Sequence, residues 1–336
     1  MKLVQGLEKF LLKDAPPTRL ALLRILIGAF SLWYLSSRIS LFASVAGTDA
    51  SLYEPVGAAH LFDVPMPVEW FQLLVIALLA ANVAFILGWR FRVTGPVFGL
   101  LLFFVLSYRN SWSMIFHSDN VLVFHALILG FSPAADALSL DAHKQLLACE
   151  EANSSPWWKL NSERHWQYGW AIRLLCTVTV ITYFLSGVAK IFGPLGLEWM
   201  TGEALRGQVA VDGLRKELLG DGAEPLAYTL YNHLWLFTLI GVGSMVIEAG
   251  APVALANKHV GRLWSLAAIM MHWGIFFVMG ITFRYQLVGF IFLSFFPLER
   301  MLVWLDPRFI SERLAARPKN ARPPLKVKVA PQHNQT

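Results

Sequence analysis

The chain has 336 residues, 56% of them hydrophobic and 15% charged, whereas soluble domains carry about 25% charged residues. With 13 Trp and 24 Phe, this composition argues against a soluble protein and for a polytopic one, aromatic-rich at its membrane interfaces. The net charge of +6 is assigned to cytoplasmic loops rather than to a nucleic-acid surface, and two distant cysteines, Cys149 and Cys176, exclude a disulfide framework.

In chain order, residues 1–18 come first. Within them "KLVQGLEKFLLK" puts Leu3, Leu7, Phe10 and Leu11 at helical spacing, with Lys2, Lys9 and Lys13 elsewhere. This reads as an amphipathic helix on the inner surface. The same lysines interrupt the first apolar run, so no cleavable signal peptide is expected.

Residues 19–300 form the transmembrane domain. The predicted fold is an all-α polytopic integral membrane protein, a bundle of about eight transmembrane helices. The spans fall at 20–42, 70–89, 93–109, 113–131, 170–192, 228–256, 263–281 and 284–299. With both termini inside, 19 of the 28 Lys and Arg lie on inner loops and tails and 7 at outer positions, the expected bias. Two long connections, 43–69 and 193–227, are outer. The second is expected to hold a short helix around "GEALRGQV". Residues 301–336 are basic and weakly hydrophobic, and read as a disordered cytoplasmic tail.

Polar residues inside spans are the functional candidates. Counted at about 1.5 Å per residue, Lys190 lies some 30 Å from the inner end of its span, at the outer edge. His117 and Asn120 fall near that depth on the preceding span. Tyr183 lies two turns below Lys190 on the same face, with Ser186 and the small Gly187 between them. Asn232 and His233 are placed at the outer mouth of the sixth span. Arg24, Arg173 and Glu248 are placed in the inner half, where Glu248 is expected to pair with one of the two arginines. Each candidate also has a plainer reading. Lys190 snorkels to the headgroups, His117 and Asn120 hydrogen-bond within the bundle, and Asn232 and His233 belong to an interfacial belt. No metal site is expected, because no two histidines stand four apart within a span.

The segment "YFLSGVAKIFGPLGLEWMTGEAL" resembles the membrane domain of the vitamin K-dependent γ-carboxylase family, also called horizontally transferred transmembrane (HTTM) domains. That family carries Tyr-Phe-x-x-Gly-x-x-Lys followed by Trp-x-x-Gly, here Tyr183, Phe184, Gly187, Lys190, Trp199 and Gly202. The stretches "LYEPVGAAHLFDVPMP", "RNSWSMIFHSDNVLVFH" and "MVIEAGAPVAL" resemble the bacterial branch.

The resemblance implies a multi-pass protein of a bacterial inner membrane that uses Lys190 as a base on a reduced quinone, a vitamin K-type hydroquinone. His117 and Asn120 would assist. Tyr183, Gly187 and Trp199 would bind substrate, joined by Asn232 and His233 from their place at the outer mouth of the sixth span. Besides the lipid bilayer, the partner would be a peptide or protein substrate, and not nucleic acid. The alternative is a non-enzymatic maturation or accessory protein that binds a partner through its two outer loops.

Overall fold

The computed structural model describes residues 2–112, 115–148 and 164–302. Met1–Glu299 form one compact unit. Of the second unit only residues 300–302, which are helical, are described; the expected disordered tail lies otherwise outside the described residues.

The described chain is helical: α1 (Lys2–Leu11), α2 (Pro17–Ser36), α3 (Ile39–Ala46), α4 (Val68–Leu87), α5 (Phe91–Asn110), α6 (Asn120–Gly130), α7 (Leu140–Ala148), α8 (Trp166–Phe192), α9 (Glu198–Thr201), α10 (Glu203–Leu219), α11 (Pro225–Leu230), α12 (Leu234–Ala249), α13 (Lys258–Met279), α14 (Arg284–Leu287) and α15 (Glu299–Leu302). Among the described residues, β pairing is limited to a single bridge, Ala15 to His165.

Among the described residues, five helices are long and apolar enough to cross a bilayer: α2, α4, α5, α8 and α13. Two apolar helices, α6 and α12, are shorter. The arrangement is compatible with a multi-pass membrane protein. On α4, Trp70, Leu73, Ile76 and Val83 are exposed, as are Leu263, Leu266, Met270 and Phe277 on α13. Helices apolar on both their packed and their open faces suit a lipid surround.

About eight continuous spans were expected, and the departures have local causes. In 284–299, Gly289 takes a left-handed conformation (φ 75°), and the chain runs as the four-residue α14 and a 3-10 segment, Phe290–Phe295. In 228–256, α12 stops at Ala249, before Gly250 and Pro252, and a 3-10 segment follows. Proline has no N–H to continue the ladder. In 193–227 the expected short helix is the 17-residue α10, with α9 and α11 on either side.

α2 packs against α4, α6 and α8. Arg24 on α2 is fully buried. Its Nη1 donates to the Ala134 carbonyl at 2.8 Å and its Nη2 to the Leu138 carbonyl at 2.5 Å. Both acceptors lie in the non-helical turn after α6, whose carbonyls lack helical partners; the guanidinium supplies donors the backbone cannot. Arg24 therefore serves this turn and does not pair with Glu248. Arg173 does not pair with Glu248 either. Its guanidinium lies 5.0 Å from the Phe10 ring and holds α1 against α8.

The turn from α4 to α5 is closed from a distance. Gly88 (φ 62°) and Arg90 (φ 45°) take left-handed conformations. The Asp141 carboxylate accepts the N–H groups of Arg90 and Phe91 at 2.9 and 2.7 Å, capping α5 with an anion at its positive end. α5 and α6 then cross backbone to backbone. A Cβ at Gly95 would stand 2.7 Å from the Gly130 carbonyl oxygen, and one at Gly130 would stand 2.5 Å from that of Gly95.

The crossing gives a direct prediction. Gly95→Ala and Gly130→Ala should each lower unfolding stability in detergent by about 1–3 kcal/mol, the usual cost of overpacking. Gly274→Ala on α13 meets nothing within 4 Å and should raise it by roughly 0.5–1 kcal/mol. Equal effects at all three positions would remove the close crossing as the reason for the two glycines.

Candidate functional site

α8 carries Tyr183, Gly187 and Lys190 on one face, as 3.6-residue periodicity requires. That face meets the C-terminal end of α12 rather than its N-terminal mouth. At Gly187 a Cβ would stand 2.5 Å from the Ala249 nitrogen and 2.8 Å from its Cα. Only a residue without a side chain allows this approach. One turn on, the approach sets Lys190 opposite Glu248.

The Lys190 Nζ donates to Glu248 Oε1 at 2.8 Å. Oε2 lies 2.7 Å from the same nitrogen and completes the ion pair without a hydrogen bond of its own among the described residues. The Glu248 side chain is 9% exposed and that of Lys190 24%. The ammonium also lies 5.2 Å from the centroid of the Trp199 ring. Two further effects favour this placement. The last carbonyls of α12 attract a cation, and the aromatic face attracts the same charge.

Below the ion pair stands an aromatic wall. The Tyr183 ring meets Trp264 edge-on at 5.1 Å and His272 at 5.7 Å. The Trp264 indole donates to the Ile247 carbonyl at 2.9 Å, beside Glu248. The Tyr183 hydroxyl is 3.4 Å from His272 Nδ1. The same nitrogen is 2.8 Å from the Ala268 carbonyl. A carbonyl only accepts, so Nδ1 carries the proton and Nε2 is the free acceptor.

Above the pair, α9 lies tightly on α12. A Cβ at Gly241 would stand 2.2 Å from the Trp199 carbonyl oxygen, and Thr238 Oγ1 donates to the Thr201 carbonyl at 2.7 Å. Beside the pair is an apolar groove of about 330 Å³, lined by Ile191, Leu197, Met200, Met245, Val246 and Ala249. Tyr183, Gly187, Lys190 and Trp199 thus form one continuous unit.

Other expected members of the site lie elsewhere. Glu248, expected to pair with Arg24 or Arg173, is the partner of Lys190. Depth counting separates Lys190 from Glu248 because rise per residue measures length along an axis, not depth. α8 has 27 residues, roughly 40 Å, and exceeds a hydrocarbon core of about 30 Å, so a straight count overstates the height of Lys190. Asn232 and His233 are exposed in the turn before α12, roughly 22 Å of helix from Glu248. Asn120 is exposed, and Lys190 is engaged by Glu248 and Trp199 instead. The side chain of His117 lies outside the described residues. Its neighbour Asp119 is ion-paired with Arg109 at 2.9 Å.

Two residues of the site, Trp264 and His272, were not singled out as partners of Tyr183. Their signal was a polar aromatic pair eight residues apart in an apolar helix. His125, on α6, is fully engaged: Nε2 faces the Leu175 carbonyl at 3.3 Å and Thr179 Oγ1 at 3.1 Å, and Nδ1 accepts from the Tyr285 hydroxyl at 2.8 Å. Among the described residues no group of three or more His, Cys, Asp and Glu could hold a metal ion.

Comparison with protein families, with characterised proteins and with solved structures finds no match for this chain. The functional reading rests on the geometry of the site and the motif it contains.

The pair is directly testable for stability. Glu248→Gln strands a partly buried ammonium and should cost about 3 kcal/mol in chemical unfolding. The double variant Lys190→Met/Glu248→Leu replaces both charges with apolar groups and should recover more than half of that loss. A Glu248→Gln protein as stable as wild type would show that the pair does not hold α8 to α12.

Proposed function

We propose that the chain is a multi-pass membrane enzyme of the carboxylase-like (HTTM) class. It uses Lys190 as a base on a lipid quinol, or on another lipophilic or peptide substrate, taken from the membrane. The observation that carries this reading is the Lys190 ammonium held between Glu248 and Trp199, with an apolar groove lined by the adjoining residues Ile191, Met245 and Ala249. In this reading the protein sits in a bacterial inner membrane with both ends cytoplasmic and about eight crossings, α6, α12 and 284–299 completing the set of five long helices.

The residues suit a reduced quinone. The groove volume lies within the ordinary range for ligand sites of roughly 300–1,000 Å³, and its walls match an apolar ring and tail. When bound, the hydroquinone supplies an acidic hydroxyl and reducing equivalents. The chain does the rest. An ammonium has no lone pair, so base function needs the proton of the pair to rest on Glu248 Oε, which leaves a neutral amine at Lys190 Nζ. Nζ then accepts the hydroxyl proton, Glu248 holds the amine in place, and the Trp199 ring covers one side of it.

The ion pair also favours a second reading. Each charge satisfies the other, as in a purely structural bridge, which suits a maturation or accessory protein without turnover. Lys190→Arg separates the two. Arginine keeps the cation and the bridge but cannot act as a base. In proteoliposomes given a reduced quinone, wild type should consume oxygen, and Lys190→Arg should lose at least about 100-fold while keeping its melting temperature. Full activity in Lys190→Arg, or none in wild type with any reduced quinone tested, would favour the accessory reading.

The topology has its own check. Reporter fusions at Glu54, Glu150, Asp221 and Gln332 should read outside, inside, outside and inside. An outside signal at Gln332 would overturn the even number of crossings.

A further inference from the structure

A second charged cluster lies at the end of the bundle opposite Arg24, where the C-terminal ends of α2 and α5 meet the start of α6 and α14. Its floor is Arg109, 3% exposed. Nη2 donates to Asp119 Oδ2 at 2.9 Å and to Asn110 Oδ1 at 2.8 Å, and Nη1 donates to the Tyr34 hydroxyl at 3.0 Å. The Tyr34 hydroxyl in turn donates to Asp119 Oδ2. Asp119 is therefore committed to Arg109 and Tyr34.

Two more guanidiniums stand around this floor. Arg38 stacks 3.7 Å from the centroid of the Tyr34 ring, and Arg284 lies 5.9 Å from that of Trp33. Arg284 and Arg109 both repel Arg38, and Asp119 attracts it. Among the described residues, neither Arg38 nor Arg284 has a carboxylate within ion-pair distance. Three cations thus share one carboxylate, which is already in use. Bulk salt screens such a surplus at an open surface, but both arginines are half-buried and are screened less.

We propose that Arg38 and Arg284 together bind the phosphate of an anionic phospholipid headgroup. This rests on the multi-pass reading of the chain and not on the chemistry assigned to Lys190. Guanidinium forks match phosphate oxygens, and the anion supplies the negative charge that the cluster lacks. The neighbours point to a lipid as its source. Trp33, Ile39 and Leu41 are exposed beside the arginines, an apolar surface for acyl chains with an indole at headgroup level. The buried Arg109–Asp119–Tyr34 floor fixes the ring under Arg38, so the guanidinium is held in place before the headgroup arrives.

The test uses the full chain in micelles containing equal amounts of phosphatidylglycerol and phosphatidylcholine, with retained lipids counted by native mass spectrometry. Wild type should prefer phosphatidylglycerol by roughly thirtyfold, the sum of two cations each making the ordinary attraction to an anionic headgroup. Arg284→Gln and Arg38→Gln should each reduce that preference about fivefold, while melting in phosphatidylcholine alone stays at the wild-type value. Arg284→Lys keeps the charge without the fork and should fall between wild type and Arg284→Gln. No preference in wild type, a preference unchanged in both Gln variants, or an equal loss in Arg284→Lys and Arg284→Gln would overturn the proposal. So would displacement of phosphatidylglycerol by millimolar inorganic phosphate, which would make this a free-phosphate site.

Discussion

Carbonyl groups that no helix uses must find a donor, and burial away from water makes that demand absolute. In this fold a single buried guanidinium meets it. Arg24 serves Ala134 and Leu138 in the turn after α6, and that turn leads into Ser139 and Asp141. Ser139 packs against Gly88, and Asp141 caps α5. The ends of α2, α4, α5 and α6 are therefore tied at one place by an arginine, a glycine and an aspartate. Loss of the guanidinium would leave one buried and one partly buried acceptor without it and loosen four helices, because the cap and the turn share one short segment.

The same rule, applied to side chains, organises the two charged sites. Lys190 and Glu248 are each costly alone in apolar surroundings, and together they fix where α8 meets α12. Arg109 and Asp119 do the same for α5 and α6, ten residues apart along the chain but joined by an ion pair. In both cases small residues set the approach: Gly187 in the first, Gly95 and Gly130 in the second. Charge pairing decides contact, and side-chain size decides whether the contact can be reached.

Apolar run lengths made the long helices legible in the sequence. The expected spans 70–89, 93–109 and 170–192 lie within a few residues of α4, α5 and α8. The broken segments were not legible, because hydropathy averages over Gly289 and over the Gly250–Pro252 bend, which change direction without changing polarity. The face shared by Tyr183, Gly187 and Lys190 followed from helical periodicity alone. The partner of Lys190 did not, since a count along the axis cannot report tilt, and the charges of Arg24 and Arg173 gave Glu248 two other plausible mates. The engagement of Arg24 with backbone carbonyls is invisible to any rule that matches opposite charges.

The cap on α5 carries a consequence for biogenesis. The carboxylate that binds the N–H groups of Arg90 and Phe91 lies some fifty residues downstream, at Asp141. The α4–α5 segment is made before this residue, and its turn holds local hydrogen bonds of its own, Gly88 to Phe85 and Trp89 to Ala84. Until Asp141 arrives, the two amide groups at the start of α5 have only water to bond. The cap forms once α6 has followed and the next turn has returned to the start of α5. Forming α5 and capping it are therefore separate events, the second waiting on one later aspartate.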